Sequence, residues 1–168
     1  DVIPGNLYEF RYDQWKSIYS DPFSVFQNLI LFKQKGEIYL WTIINNKSTN
    51  QFSMNFYNGR NWFEQNIPTL QSDNLSSSKH LYLSGNNPQN IWLISEKGDT
   101  YYYNGIIWNA RGSIPLSAIN NIDERVSVSS INVPNISEVW LGAENGQIFH
   151  FKEDKWEIDN ATIQLNKS

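Results

Sequence analysis

The sequence contains no cysteine, and this absence excludes disulfide frameworks, thiolate zinc sites and cysteine nucleophiles. Basic residues are few: 13 lysines and arginines stand against 17 aspartates and glutamates, which gives a net charge of -4. A nucleic-acid partner needs a basic face that neutralises phosphates, so none is expected. The chain also lacks an apolar run long enough to span a membrane and a signal-peptide pattern at its start, which predicts a soluble mature or excised piece.

Aromatic residues are abundant instead. They make up 15% of the chain, with seven tryptophans, while charged residues make up only 18%. Together with frequent Asn, Gly and Ser, this composition is typical of short strands joined by turns. Helical periodicity is weak, and its two best segments are "SDPFSVFQNLILFKQ" and "IPLSAINNIDERV". We interpret the first of them as a loop that runs into a strand.

Four octets share one pattern and end in a tryptophan: "YEFRYDQW", "NFYNGRNW", "YYYNGIIW" and "FHFKEDKW". Their last residues are Trp15, Trp62, Trp108 and Trp156, which are 47, 46 and 48 residues apart. In each octet an aromatic residue precedes the tryptophan by five positions, a spacing that predicts a β-hairpin whose outer strand begins at the tryptophan. "NG" in the middle two copies is a strong turn pattern. The turns of the copies with "RYDQ" and "KEDK" should therefore be looser or of another type.

A second phrase precedes the last three octets and reads "EIYLWTII", "NIWLISEKG" and "EVWLGAENG". We align Tyr39, Trp92 and Trp140 at one position of this phrase, with a seven-residue insertion, "NNKSTNQ", in the first copy. Consecutive apolar residues such as "IWLI" indicate a strand that is covered on both faces of its sheet. A further strand precedes each phrase, in "VFQNLILFKQ", "KHLYLSG" and "RVSVSSINV". Each repeat therefore contains four predicted strands.

These repeats predict an all-β fold of propeller-like, tandem four-stranded antiparallel blades of about 47 residues each. We predict a single domain over residues 1–168, with units at about 1–20 (partial), 25–67, 79–115 and 125–162. A β-sandwich or another meander is the alternative. Because the first unit holds only two strands, the count is about three and a half to four blades. Closure would then come from a small four-bladed ring, from the rest of a longer chain, or from a second copy in a homodimer.

The segments "IWLISEKGDTYYYNGIIW" and "VWLGAENGQIFHFKEDKW" resemble the tryptophan-rich repeats of bacterial β-propellers, and the spacing of the tryptophans is similar to that of the tachylectin and tectonin lectins. The resemblance covers residues 7–160 and rests on positions that build the repeat. It implies a fold of WD-like blades. Because such repeats occur in secreted and periplasmic proteins, including sensor propellers, it also implies a location outside the cytoplasm. It implies little about function.

Aromatic residues that recur in every copy are expected to pack between blades, and the tryptophans at 15, 62, 92, 108, 140 and 156 are therefore predicted to be structural. Ligand-binding residues are expected where the copies differ, because function is carried by loops on a repeated scaffold. By this criterion the predicted ligand-binding residues are Trp41, Arg60, Asn61, Arg111 and Arg125. The insertion at 45–51, Asp123, Glu124, His80 and His150 also break the repeat.

Motifs for catalysis and metal binding are absent from the sequence. His80 and His150 lie in different strands without ligand spacing, and no GxSxG or Walker pattern occurs, so neither a metal nor a cofactor is predicted. Acidic residues near turns, such as Asp99 and Asp154, are expected to be solvated. The prediction is a non-catalytic binding or interaction module that recognises a protein or glycan through its loop face. Alternatives are a carbohydrate-binding lectin, a purely structural piece of a larger assembly, and a glycosidase or lyase on a propeller scaffold, which needs two carboxylates about 6–9 Å apart.

Overall fold

The computed structural model describes residues 5–49, 51–65, 80–116, 127–135 and 137–159. Within these residues the chain forms fourteen strands and no helix, so it contains no helix that could cross a membrane. The strands are β1 (Gly5–Arg11), β2 (Gln14–Asp21), β3 (Ser24–Gln34), β4 (Glu37–Asn46), β5 (Gln51–Tyr57), β6 (Trp62–Gln65), β7 (Leu81–Asn87), β8 (Asn90–Ser95), β9 (Asp99–Tyr103), β10 (Trp108–Ser113), β11 (Val128–Asn135), β12 (Glu138–Ala143), β13 (Ile148–Lys152) and β14 (Lys155–Ile158).

The strands pair in chain order into four antiparallel sheets. A leading hairpin (β1–β2) is followed by a first sheet (β3–β6), a second sheet (β7–β10) and a third sheet (β11–β14), and none of the sheets closes on itself. The prediction of an all-β chain with tandem four-stranded antiparallel sheets is confirmed. The segment after Asp21 turns directly into β3, as predicted, while most of "IPLSAINNIDERV" lies outside the described residues.

Strand pairing corrects the sequence alignment of the second strands. Trp92 pairs with Tyr102 and Trp140 pairs with His150, and the residue in the matching place of the first sheet is Trp41, which pairs with Phe56. Tyr39, which the sequence aligned there, lies two residues earlier. From Trp41 to Trp62 there are 21 residues, against 16 from Trp92 to Trp108, so the first sheet carries five extra residues rather than seven. Trp41 therefore belongs to the repeat and does not break it.

The turns also differ from expectation. In the copies without "NG", the turns contain only two residues, Tyr12–Asp13 and Glu153–Asp154, between the paired ends of their strands. All four residues have positive φ, between 50° and 61°, as a type I′ turn requires. The turns of these two copies are therefore not looser than the "NG" turns, as one expectation had it, but they are of another type, as the other had it. Aspartate tolerates this conformation better than tyrosine or glutamate, which gain no local hydrogen bond from it.

The two "NG" copies form wider loops, residues 58–61 and 104–107, between Tyr57 and Trp62 and between Tyr103 and Trp108. Only the glycine of each loop has positive φ, +89° at Gly59 and +91° at Gly105. The asparagine side chain closes the loop: Asn58 Oδ1 accepts hydrogen bonds from the backbone N–H groups of the third and fourth loop residues at 3.1 and 2.9 Å. Asn104 makes the same pair of contacts, both at 3.0 Å.

The sheets pack face to face in chain order. The first strands of successive sheets are in contact: β7 packs against β3 on one side and against β11 on the other. Aromatic and aliphatic side chains fill the space between the first and second sheets and the space between the second and third sheets. The second sheet therefore lies between two apolar cores. All six residues of β8 are buried, as its apolar run predicted.

Burial raises the pKa of Tyr101 in β9 to about 12, with a smaller contribution from nearby Asp99.

Candidate functional site

A cleft of about 330 Å³ opens between the second and third sheets. One wall carries residues of β8, β9 and β10. The other carries Phe151 of β13 and residues of two turns of the third sheet, the turn before β12 and the turn between β13 and β14. The lining residues are Trp92, Tyr102, Arg111, Ser137, Phe151, Glu153 and Asp154. Trp92, Tyr102 and Phe151 form a buried aromatic floor, while the charged groups lie at the mouth.

A β-bulge in β10 positions Arg111. Two residues, Arg111 and Gly112, oppose the single residue Thr100 of β9, because the pairing jumps from Ala110 to Ser113. Gly112 has a φ of +78°, and its carbonyl oxygen accepts a hydrogen bond of 2.9 Å from the Thr100 hydroxyl. The bulge leaves the Arg111 side chain over the second sheet's face toward the third sheet, with its guanidinium carbon 5.4 Å from the centre of the Tyr102 ring.

The guanidinium of Arg111 bridges the two sheets. Its Nη1 donates a hydrogen bond of 2.9 Å to Oδ1 of Asp154, in the turn between β13 and β14. Burial raises the pKa of the neighbouring Tyr102, and the positive charge of Arg111 partly offsets that rise. Because Asp154 is largely exposed, this ion pair adds little to stability. Its main effect is to hold the guanidinium in place across the cleft.

Two buried donors in the cleft have no acceptor among the described residues: Nε of Arg111 and Nε1 of Trp92. The unpartnered Nε1 of Trp92 recurs in the repeat, because Nε1 of Trp41 is unpartnered at the equivalent position of the first sheet. Nε of Arg111 has no such counterpart. An unpartnered buried donor is costly, but Nε of Arg111 exposes less than 1 Å² and is closed to a ligand. The side chain as a whole is 35% exposed, so its guanidinium is the donor group that the cleft offers.

The equivalent place between the first and second sheets lacks this chemistry. In the first sheet the position of Arg111 is taken by Gln65. Gln65 pairs with Met54 of β5, and Arg111 stands opposite Thr100, the matching residue of β9. The loop 104–107 stands in place of the acidic turn, with Ile106 exposed by 83% where the third sheet has Glu153 and Asp154. The charged cleft is therefore a feature of one interface and not of the repeat.

The other predicted ligand-binding residues lie elsewhere. Trp41 is only 2% exposed and packs in the core between the first and second sheets. Arg60 and Asn61 lie on the exposed loop 58–61 of the first sheet, and Arg125 lies outside the described residues. Of these five residues only Arg111 lines the cleft, and the structure does not bring the set together. Their ligand-binding roles stay predictions.

Sequence reasoning missed the acidic turn as part of the cleft and misplaced Asp99. Asp99 is buried, where a solvated turn residue was expected. Its Oδ1 accepts a hydrogen bond of 2.9 Å from the Ser113 hydroxyl, and its backbone N–H donates to Oγ of Ser95 at 3.1 Å. Gln147, the matching residue of the third sheet, is also buried, and the recurrence of a polar residue after "KG" and "NG" could have indicated this role.

A second polar cluster lies on the outer face of the third sheet. The rings of Trp140 and His150 stack at 3.9 Å with an interplanar angle of 8°. Trp140 Nε1 donates a hydrogen bond of 3.0 Å to Oε1 of Glu138, and Nδ2 of Asn135 donates one of 2.8 Å to its Oε2. These two bonds, that from Trp140 first, lower the pKa of Glu138. His150 Nε2 stands 3.5 Å from Glu138 Oε1, too far for a strong hydrogen bond.

Within the described residues, no group of three or more histidines, aspartates and glutamates is arranged to hold a metal ion. Compared with known proteins, the sequence matches no protein-family model and none of the curated proteins.

Proposed function

We propose that this chain is a non-catalytic binding module whose sheets are blades of a β-propeller type, and that its ligand is a glycan held in the cleft between the second and third sheets. The propeller interpretation is supported by the order of the strands, by the adjacent first strands β3, β7 and β11, and by successive face-to-face packing. The cleft lies beside the turns, where repeat proteins carry their specificity.

The charges at the mouth of the cleft favour a neutral ligand rich in hydroxyl groups. Arg111 offers the N–H donors of a partly exposed guanidinium, whereas Glu153 and Asp154 offer carboxylate oxygens as acceptors. A hydroxyl group can accept from the first and donate to the second. A carboxylate or phosphate would meet two acidic residues at the mouth, and a purely apolar group would give the Arg111 guanidinium no acceptor. A saccharide supplies the required pattern of hydroxyl groups.

The single observation that carries this proposal is the guanidinium of Arg111 beside the acidic turn, found at one interface and not at the other. The aromatic floor adds apolar contact, although Trp92, Tyr102 and Phe151 are buried and expose little of their rings. We therefore expect affinity to come from hydrogen bonds to the ligand and from the enclosure of the cleft. Stacking of a sugar on an open ring face would contribute less.

The test is a glycan array followed by titration of the best sugars, with tryptophan fluorescence as the readout because Trp92 lies at the cleft. We expect micromolar to millimolar binding by the wild type. Arg111→Met should weaken binding at least about tenfold, a loss of about 1.4 kcal/mol. The matched control is Arg60→Met, which removes an exposed arginine of the first sheet and should leave binding unchanged. Binding that survives Arg111→Met, or an array without any bound sugar, would contradict the proposal.

A catalytic alternative has one observation in its favour: two carboxylates, Glu153 and Asp154, line the cleft. They are consecutive residues of one tight turn, and Asp154 is engaged with Arg111. Glycosidases instead place their two acids on opposite sides of the bond that breaks. The bound sugars should be incubated with the protein and examined for cleavage products. We expect none; products that disappear in both Glu153→Gln and Asp154→Asn would replace binding with hydrolysis as the function.

A further inference from the structure

The contact between successive sheets is built in the same way twice. Trp41 of the first sheet packs against Tyr103 and Trp108 of the second, with ring centroids 5.1 and 6.2 Å apart. Trp92 of the second sheet packs against Phe151 and Trp156 of the third, at 4.9 and 6.2 Å. The two tryptophan pairs cross at nearly the same angle, 86° and 83°. Each contact thus joins one tryptophan of a second strand to an aromatic pair of the next hairpin.

The two ends of the described chain carry the two halves of this same contact. Trp140 occupies the position of Trp41 and Trp92 in the third sheet, and no described strand follows that sheet to cover it. Phe10 and Trp15, a cross-strand pair 5.1 Å apart in the leading hairpin, correspond to Tyr103 and Trp108. They are 54% and 70% exposed. The chain therefore presents a tryptophan at one end and an uncovered aromatic pair at the other.

A bulge in the leading hairpin directs this pair outward. Tyr8 pairs with Ser17 and Leu7 pairs with Tyr19, so Ile18 is an extra residue that switches the faces of β2. Beyond the bulge, Tyr19 faces the first sheet and contacts Trp62 at 5.3 Å. The Trp62 indole N–H donates a hydrogen bond of 2.8 Å to the carbonyl of Ile18. Trp15 lies before the bulge and therefore faces away from the first sheet.

We propose that a second copy of this chain docks head to tail on these surfaces, with Trp140 of one copy packed against Phe10 and Trp15 of the next. The occupant follows from the repeat, because each uncovered half has its complement on the chain itself and that complement is already used twice inside the molecule. The chain's own third sheet does not cover the aromatic pair, since Trp15 is mostly exposed. A contact of this kind joins two different surfaces, so it closes into a ring of copies or continues as a filament.

The experiment measures the mass of the full chain in solution over a wide range of protein concentration. Wild type should associate, whereas Trp15→Ser and Trp140→Ser should each stay monomeric. An equimolar mixture of the two variants should form heterodimers and nothing larger, because one variant keeps the tryptophan end and the other keeps the aromatic-pair end. The matched control is Ile106→Ser, which removes an exposed apolar side chain outside the contact and should associate like wild type.

Three results would overturn the proposal: a wild type that is monomeric at every concentration, a Trp15→Ser variant that associates like wild type, or a mixture that stays monomeric. The fold of each variant is checked by circular dichroism. Should Trp140→Ser lose its β-sheet spectrum, His150→Lys takes its place, since it adds a charge to the same face next to Trp140. These results are independent of glycan binding, because the cleft lies on the opposite face of the third sheet.

Discussion

The second strands of the second and third sheets, β8 and β12, differ in what covers them. Both carry a tryptophan and a leucine at the same register, Trp92–Leu93 and Trp140–Leu141. In β8 every residue is buried, whereas in β12 only alternate residues are buried. The next position is Ile94 in β8 and Gly142 in β12, so the face that no described sheet covers also lacks a large side chain there. A strand that is covered on both faces thus carries consecutive apolar residues, whereas a strand covered on one face does not need them.

The largest expected difference between the two strands lies in the cost of removing their tryptophans. Trp92 is 1% exposed and packs between two sheets, so Trp92→Ala should lower the free energy of unfolding by about 3–5 kcal/mol. Trp140 is covered on one side only, and Trp140→Ala should cost less than half as much. The measurement is urea denaturation at low protein concentration, where self-association does not contribute. Equal losses would show that the outer face of the third sheet is as fully packed as the core.

Much of the fold could be predicted from the sequence, because strand composition, turn residues and the repeated octet are local patterns. The register of β4 could not be predicted, since Tyr39 and Trp41 are both aromatic and both are adjacent to Leu40. Only pairing with Phe56, fifteen residues after Trp41, decides between them. Such a long-range pairing leaves no mark in the local sequence, and the five inserted residues hide the spacing that the other copies show.

Of the residues that line the candidate site, the sequence predicted only Arg111 as a ligand-binding residue. Arg111 departs from its counterparts in the repeat, and this departure pointed to it. Its contact with Asp154 depends on a bulge in β10, on a tight turn in the third sheet and on the packing of the two sheets. The same is true of the self-association surfaces, where the bulge at Ile18 sets the direction of Trp15. Bulges shift the faces of a strand by one residue, and a pattern of alternating residues does not reveal them.

A smaller difference is expected between the hairpin turns of the second and third sheets. The loop 104–107 uses glycine where φ is positive, whereas the turn of the third sheet places Glu153 in that conformation, with φ of 52°. Asparagine adopts it more easily, so Glu153→Asn should raise the free energy of unfolding by about 1 kcal/mol. Denaturation with urea gives the value. The matched control is Lys152→Asn, one residue outside the turn, which should give no gain; a gain there as large as at Glu153 would mean that the strain of the turn is not the cause.

The smallest expected effect is a pH dependence that belongs to the third sheet alone. Glu138 and Asn90 occupy matching positions at the start of β12 and β8, and only Glu138 can titrate. Hydrogen bonds from Trp140 and Asn135, with weaker attraction from His150 and Lys152, hold the pKa of Glu138 below its ordinary value of 4.5. A carboxyl group whose pKa is lowered by folding stabilises the fold above its unfolded pKa, and this contribution is lost as the pH falls through the folded pKa.

Glu138→Gln should therefore flatten the part of the stability curve below pH 4.5 and slightly lower stability at neutral pH. The amide keeps an acceptor for the Trp140 indole but loses the charge and the second acceptor oxygen. Glu157→Gln is the matched control on the same face: its pKa is also lowered, first by the hydrogen bond from Lys155, in an exposed pair that contributes little. Unfolding by urea at several pH values distinguishes the two. The free energy of unfolding could still fall below pH 4.5 in Glu138→Gln and no longer fall there in Glu157→Gln. That result would mean that the ion pair with Lys155, and not the hydrogen bond from Trp140, sets the acid stability of this sheet.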